Sequence, residues 1–151
     1  MKIIFVCTGN TCRSPMAEGI VKALAPEIEV ESRGIFVTPG MTTHVFTKKL
    51  LAEKLGIRLD HPARQMSDGD CLAADLVLTM TQAQADFIRN HGDCTEVYTL
   101  PDFAEEGGEV PDPYGGPFAI YEKTFADLTH LIKKTLEKIR AESEQAGNDG
   151  K

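Results

Sequence analysis

The sequence predicts an α/β fold of three layers, α/β/α, built on a four-stranded parallel sheet in the order 2-1-3-4 with helices on both faces. Three observations lead there. Short apolar runs such as Lys2-Ile3-Ile4-Phe5-Val6 and Asp75-Leu76-Val77-Leu78-Thr79-Met80 read as buried parallel strands. Segments of helical period alternate with them. A small polar loop follows the first strand directly, and such sheets bind ligands outside the carboxyl ends of their strands.

The first strand, 2–6, passes into Cys7-Thr8-Gly9-Asn10-Thr11-Cys12-Arg13-Ser14. Ser14-Pro15 reads as a helix start, with Ser14 as cap and Pro15 as first helical residue. That helix spans about 15–25 on Met16, Ile20, Val21 and Leu24, and Pro26 ends it. Residues 28–32 alternate as a second strand, and Arg33 to Gly40 read as a loop with exposed apolar residues. A helix over 43–55 stops at Gly56. Ser67 caps a short helix to Ala74, 75–80 form the third strand, and Thr81 caps a helix to His91. Residues 96–100 form the fourth strand, and a turn-rich loop runs from Pro101 to Pro117. The last helix, 118–141, sets Phe118, Tyr121, Phe125, Leu128, Leu131, Ile132, Leu136 and Ile139 on one apolar face.

With 151 residues, the chain reads as one domain over 1–141 and a polar, disordered tail over 142–151. A net charge of −7 without a basic stretch argues against nucleic acid, and any anion site must be made locally. No apolar run approaches the roughly 20 residues a membrane helix needs. The short first apolar run lacks the features of a signal peptide, so a cytoplasmic protein is expected, and a monomer. The four cysteines are too few for a disulfide scaffold and have no zinc spacing, so reduced thiols are expected, with Cys71 and Cys94 structural.

The loop after the first strand carries the chemistry. Its small residues let backbone N–H groups converge as an anion-binding nest, and the following helix N-terminus adds partial positive charge. Read alone, Cys7 is a buried strand-end cysteine. With the nest and Arg13 beside it, the thiolate is favoured, and a thiolate in line with a phosphoryl group is a covalent catalyst. A cation at a helix N-terminus is unfavourable, so Arg13 needs an anionic partner and suits a bidentate clamp on phosphoryl oxygens. Asp112-Pro113 fits a plain turn, and equally the proton donor and base that displacement at phosphorus requires. Spacing leaves both open.

Taken together, Val6-Cys7-Thr8-Gly9-Asn10-Thr11-Cys12-Arg13-Ser14-Pro15 and Asp112-Pro113-Tyr114-Gly115-Gly116 resemble the low-molecular-weight protein tyrosine phosphatase family. The likeness extends through Glu31-Ser32-Arg33-Gly34 and His61-Pro62-Ala63-Arg64-Gln65. It implies Cys7 as nucleophile, Arg13 as phosphate ligand and Asp112 as acid and then base, with phosphorylated proteins as substrates and no metal or organic cofactor. It implies a network of Asn10, Ser14, Ser32 and His61 that holds the loop. Thr8, Gly9, Asn10, Thr11, Cys12 and Ser14 would surround the phosphate. Cys12 fills space, or serves as a resolving thiol for oxidised Cys7. His44, His91 and His130 have no evident partners.

Two departures bear on the substrate. Position 11 is Thr where a bulky aliphatic is usual, and the Asp112 loop lacks a second aromatic. Both resemble the bacterial protein-arginine phosphatase branch. A Thr11 hydroxyl tolerates a polar guanidinium and disfavours a tyrosine ring. Phe36 and Tyr114 would stack on the planar group. Phosphoarginine is therefore expected and phosphotyrosine is the alternative; a thiol-coupled arsenate reductase or a non-catalytic phosphoprotein-binding module fits less well.

Overall fold

The two central strands bury both of their faces, and this fixes the layers. In a computed structural model describing residues 1–149, β1 (Lys2–Cys7) lies between β2 (Glu29–Gly34) and β3 (Leu76–Thr79), and β4 (Val97–Thr99) lies outside β3. All pairings are parallel, and the order is β2-β1-β3-β4, as expected. Ile3, Phe5 and Cys7 point into one cluster with Met16 and Ile20 of α1 (Arg13–Leu24), Leu50 and Leu51 of α2 (Val45–Leu55) and Tyr121, Leu128 and Ile132 of α6 (Phe118–Asp149). Ile4 and Val6 point the other way, onto Cys71 of α3 (Asp68–Ala73) and Ala85 and Ile88 of α4 (Gln82–His91). The two-residue period of the strand assigns the faces.

Local signals placed several boundaries well. Ser67 and Thr81 each close a capping box, at α3 and α4, and Gly56 ends α2 in the left-handed conformation at φ 65°.

Five expectations need correction. The first helix starts at Arg13, with Cys12 at the cap position, where its side chain makes no capping bond; the Ser14 hydroxyl is engaged by Asn10 and Cys7 instead. Arg33 and Gly34 belong to β2, paired with Val6 and Cys7, rather than to a loop. Gly34 is required there, since a Cβ would lie 2.8 Å from the Thr8 carbonyl oxygen and 3.0 Å from the Asn10 nitrogen. The loop after β4 opens with a short helix, α5 (Leu100–Phe103), capped by Thr99 with Pro101 in its first turn. The polar tail expected over 142–151 is helical as far as Asp149, while 150–151 lie outside the described residues.

The fifth concerns the thiols. Cys71 and Cys94 form a disulfide across 23 positions, with Cα atoms 4.5 Å apart. The sheet brings α3 and the segment between α4 and β4 together on one face, a proximity that spacing does not reveal. Cys7 and Cys12 are free and buried.

Candidate active site

Residues 8–12 leave β1 and curl under the N-terminus of α1, with Asn10 in the left-handed conformation (φ 56°), which its short polar side chain tolerates. The surroundings hold the loop by its carbonyls. Those of Cys7 and Thr8 accept from the N–H groups of Ile35 (3.1 Å) and Phe36 (2.9 Å). That of Thr11 accepts from His44 N–H (2.8 Å), and that of Cys12 from the Thr47 hydroxyl (3.4 Å). With these carbonyls tied outward, the loop can present N–H groups inward as a nest.

Cys7 is 3% exposed, and its sulfur lies 3.0 Å from the Ser14 hydroxyl oxygen. Asn10 Nδ2 donates to Ser14 Oγ and to Ser32 Oγ, both at 2.9 Å, while Asn10 Oδ1 accepts from the Arg64 backbone N–H at 2.9 Å. Ser32 in turn donates to Glu18 Oε1 (2.6 Å), which also faces His61 Nε2 at 3.0 Å. The four network residues expected from the sequence are thus brought together. Asn10 and Ser14 are fully buried and do not line the cavity, so their side chains support the loop from behind.

Arg13, 4% exposed, donates from Nη1 to the Val110 carbonyl (3.0 Å) and sets Nη2 at 3.7 Å from Asp112 Oδ2. The Val110 contact ties the loop that bears Cys7 to the segment bearing Asp112. Asp112 is half exposed and accepts from the Tyr114 N–H at 3.1 Å, an Asx turn that aims the second carboxylate oxygen at Arg13. Turn chemistry and placement beside Arg13 therefore coexist. A cavity of about 290 Å³ opens between them, lined by Cys7, Thr8, Gly9, Thr11, Cys12, Arg13 and Asp112, with Phe36 and Tyr114 at its mouth. Thr38 and Met41 complete the wall and were not anticipated.

Sequence reasoning missed Glu18. Burial would raise its pKa, but hydrogen bonds from His61, Lys22 and Ser32 outweigh that and bring it down to about 2. The hydrogen bond to Glu18 pushes His61 up in return. The signal was available: Glu18 lies one turn after Ser14, on the same face of α1.

Tyr121 was read only as core. It is fully buried, with its hydroxyl 3.4 Å from Cys12 Sγ, and burial raises both its pKa and that of Cys12. The histidines judged partnerless have partners. His44 stacks on Tyr121 (4.7 Å) and accepts at Nδ1 from Phe46 N–H, capping α2. His91 stacks on Phe87 (4.3 Å), and His130 pairs with Glu106 at 2.5 Å.

The family model described as low molecular weight phosphotyrosine protein phosphatase matches residues 2–145. The low molecular weight protein-tyrosine-phosphatase PtpB of Staphylococcus epidermidis is 42% identical over 136 residues, covering 89% of this chain and 96% of that protein. The YwlE arginine phosphatase from Geobacillus stearothermophilus superposes with a TM-score of 0.85 at 35% identity, over 95% of this chain and 96% of that one. The low molecular weight protein tyrosine phosphatase from T. tengcongensis gives a TM-score of 0.85 at 39% identity, over 91% and 99%.

Proposed function

The chain belongs to the low molecular weight phosphotyrosine protein phosphatase family, and on that premise we propose that it removes phosphate from phosphoarginine residues of proteins through a phosphocysteine intermediate. That it is a cysteine-based phosphatase of phosphorylated substrates follows from the family; the residue roles and the preference for arginine are the proposal.

Cys7 attacks phosphorus in line, and the phosphoryl oxygens sit among the loop N–H groups and the Arg13 guanidinium. Charge on those oxygens rises toward the transition state, so the Arg13 clamp grips hardest there. Ser14 steadies the thiolate that is displaced again in the second step. Asp112, within reach of Arg13, gives its proton to the departing nitrogen and then takes one from the water that clears the phosphocysteine. Thr8, Gly9, Thr11 and Cys12 surround the phosphate, while Asn10, Ser32 and His61 keep the loop in register. Cys12 is the resolving thiol: it attacks the sulfenic acid of peroxide-oxidised Cys7, a disulfide forms and water leaves.

The observation that carries the substrate choice is Thr11 on the cavity wall, a polar, compact side chain where the ring of a phosphotyrosine would lie. Phe36 and Tyr114, 65% and 63% exposed, offer flat faces for a guanidinium. Likeness to a solved arginine phosphatase supports this reading, and likeness to PtpB, named a tyrosine phosphatase, supports the alternative of phosphotyrosine. Thr11→Ile should move the preference toward phosphotyrosine; an unchanged ratio of rates defeats the gatekeeper role.

An arsenate reductase would need Cys71 and Cys94 to relay a disulfide from Cys7, but that pair belongs to the cluster on the other face of the sheet. A monomeric, cytoplasmic enzyme belongs to the same proposal. No helix among the described residues is long and apolar enough to cross a membrane.

A further inference from the structure

The Cys71–Cys94 disulfide lies outside the phosphate chemistry, yet it joins α3 to the segment after α4, and α4 bears the Phe87 that meets Phe36 at the cavity mouth. We propose that this pair is a second redox-modification site: oxidised, it holds the aromatic mouth of the phosphate cavity in place, and reduced, it releases it. The inference rests on the reading of Phe36 as a substrate contact.

On one side stands α3. Six residues cannot hold a helix unaided. Besides its capping box, α3 is fixed by Asp70, whose Oδ2 lies 3.1 Å from Arg33 Nε of β2. That ion pair persists whatever the state of the sulfurs, so α3 stays anchored.

On the other side stands the end of α4 and the segment leading to β4. Phe87 stacks on His91 at 4.3 Å and meets the edge of Phe36 at 5.2 Å. Phe36 therefore rests on α4, and α4 is tied to α3 through Cys94. At Gly92 an added Cβ would lie 3.2 Å from Cys71 Sγ, so the missing side chain lets the segment close over the sulfur. A cavity of about 60 Å³ lined by Cys71, Ile35, Met66, Phe87 and Ile88, among others, leaves the segment room to shift once the bond is cut.

Cys94 is half-buried and Cys71 is 8% exposed, so a reductant meets Cys94 first. A thiolate of a dithiol attacks Cys94 Sγ, and Cys71 leaves as thiolate and takes a proton. The second thiol then closes the dithiol's own disulfide and frees Cys94. Two electrons and two protons pass to the protein. Hydrogen peroxide restores the bond, leaving two waters. The contact of α4 with the phosphate loop is the bond from Gln84 Nε2 to Thr8 Oγ1 (3.1 Å), at the first turn of α4 and far from Cys94, so the loss falls on substrate binding at the mouth rather than on the chemical step.

The test compares wild type with Cys71→Ser/Cys94→Ser. Peptide mapping of protein purified without reductant should find the Cys71–Cys94 link. The double variant should show a KM for phosphorylated protein about 3- to 10-fold higher, the value of one lost aromatic contact, with kcat within about twofold. Amide exchange across 82–91 should quicken in the variant, and equally in wild type treated with dithiothreitol. Free Cys71 and Cys94 in the mapped protein, or unchanged exchange in reduced wild type, overturns the proposal. Altered exchange with no turnover of phosphorylated protein by either form would instead count against the proposed function. Should the double variant not fold, the exchange of reduced wild type decides.

Discussion

Ser14 Oγ lies 3.0 Å from the sulfur of Cys7, although both residues are buried and seven positions apart. The serine could have capped α1, yet its hydroxyl oxygen accepts from Asn10 Nδ2 and sits between the thiol and the Arg33 carbonyl, to which it donates at 3.3 Å. In the proposed reaction, a hydrogen bond donated by Ser14 to the attacking thiolate would contribute about 1.5–3 kcal/mol. Ser14→Ala should therefore lower kcat/KM about 10- to 100-fold, and it should also cost about 1–3 kcal/mol of stability because buried Asn10 Nδ2 loses an acceptor. Full activity in that variant would show that the contact is only packing.

Asp112 is asked to act twice, first as acid and then as base. Asp112→Asn should reduce kcat about 10²- to 10⁴-fold and, by slowing hydrolysis, let phosphocysteine accumulate on Cys7. Intact-protein mass spectrometry after rapid acid quench reads the adduct. Cys7→Ser should abolish turnover yet retain phosphate binding. A Cys7→Ser protein that still turns over would remove the covalent mechanism altogether.

Stability should follow Glu18 and His61 in opposite directions. The Glu18 carboxyl falls from 4.5 to about 2 on folding, so its contribution is present above pH 4.5 and is lost as pH falls toward 2. That contribution is on the order of 3 kcal/mol. His61 is raised above 6.5, so its contribution is complete below pH 6.5 and fades as pH rises through its folded value. Urea midpoints for wild type should thus decline on both sides of a plateau between roughly pH 4.5 and 6.5. Glu18→Gln should lower the plateau and flatten the acid limb; an acid limb as steep as that of wild type would assign it to other carboxylates.

The disulfide closes a loop of 23 residues, and loop-closure entropy of that size amounts to about 3 kcal/mol. Reduction should lower the urea midpoint accordingly in wild type and have no effect on Cys71→Ser/Cys94→Ser. An equal response in both would place the reductant's effect at Cys7 and Cys12.

What the sequence made legible was what is local. Apolar runs, the caps at Ser67 and Thr81, and the loop from Cys7 to Ser14 each state their structure within a few residues. The Asp112 turn sits far along the chain, but its partner Arg13 was already suspect as a cation at a helix N-terminus. What escaped was made by packing. Glu18 shares a helix face with Ser14, yet its partners Ser32 and His61 reach it only through packing, as Cys12 and Phe46 reach Tyr121. Arg33 joins β2 because β1 continues to Cys7 and offers it a ladder. Cys71 and Cys94 meet because two elements share one face of the sheet. Thr99 and Pro101 hid the short α5 inside a stretch that reads as loop.

The most direct test of the whole reading is a side-by-side measurement of kcat/KM on one protein carrying phosphoarginine and on one carrying phosphotyrosine. With Thr11 on the cavity wall, phosphoarginine should be favoured by about tenfold or more. Equal or faster clearance of phosphotyrosine would contradict the assignment and leave a tyrosine phosphatase built on the same loop.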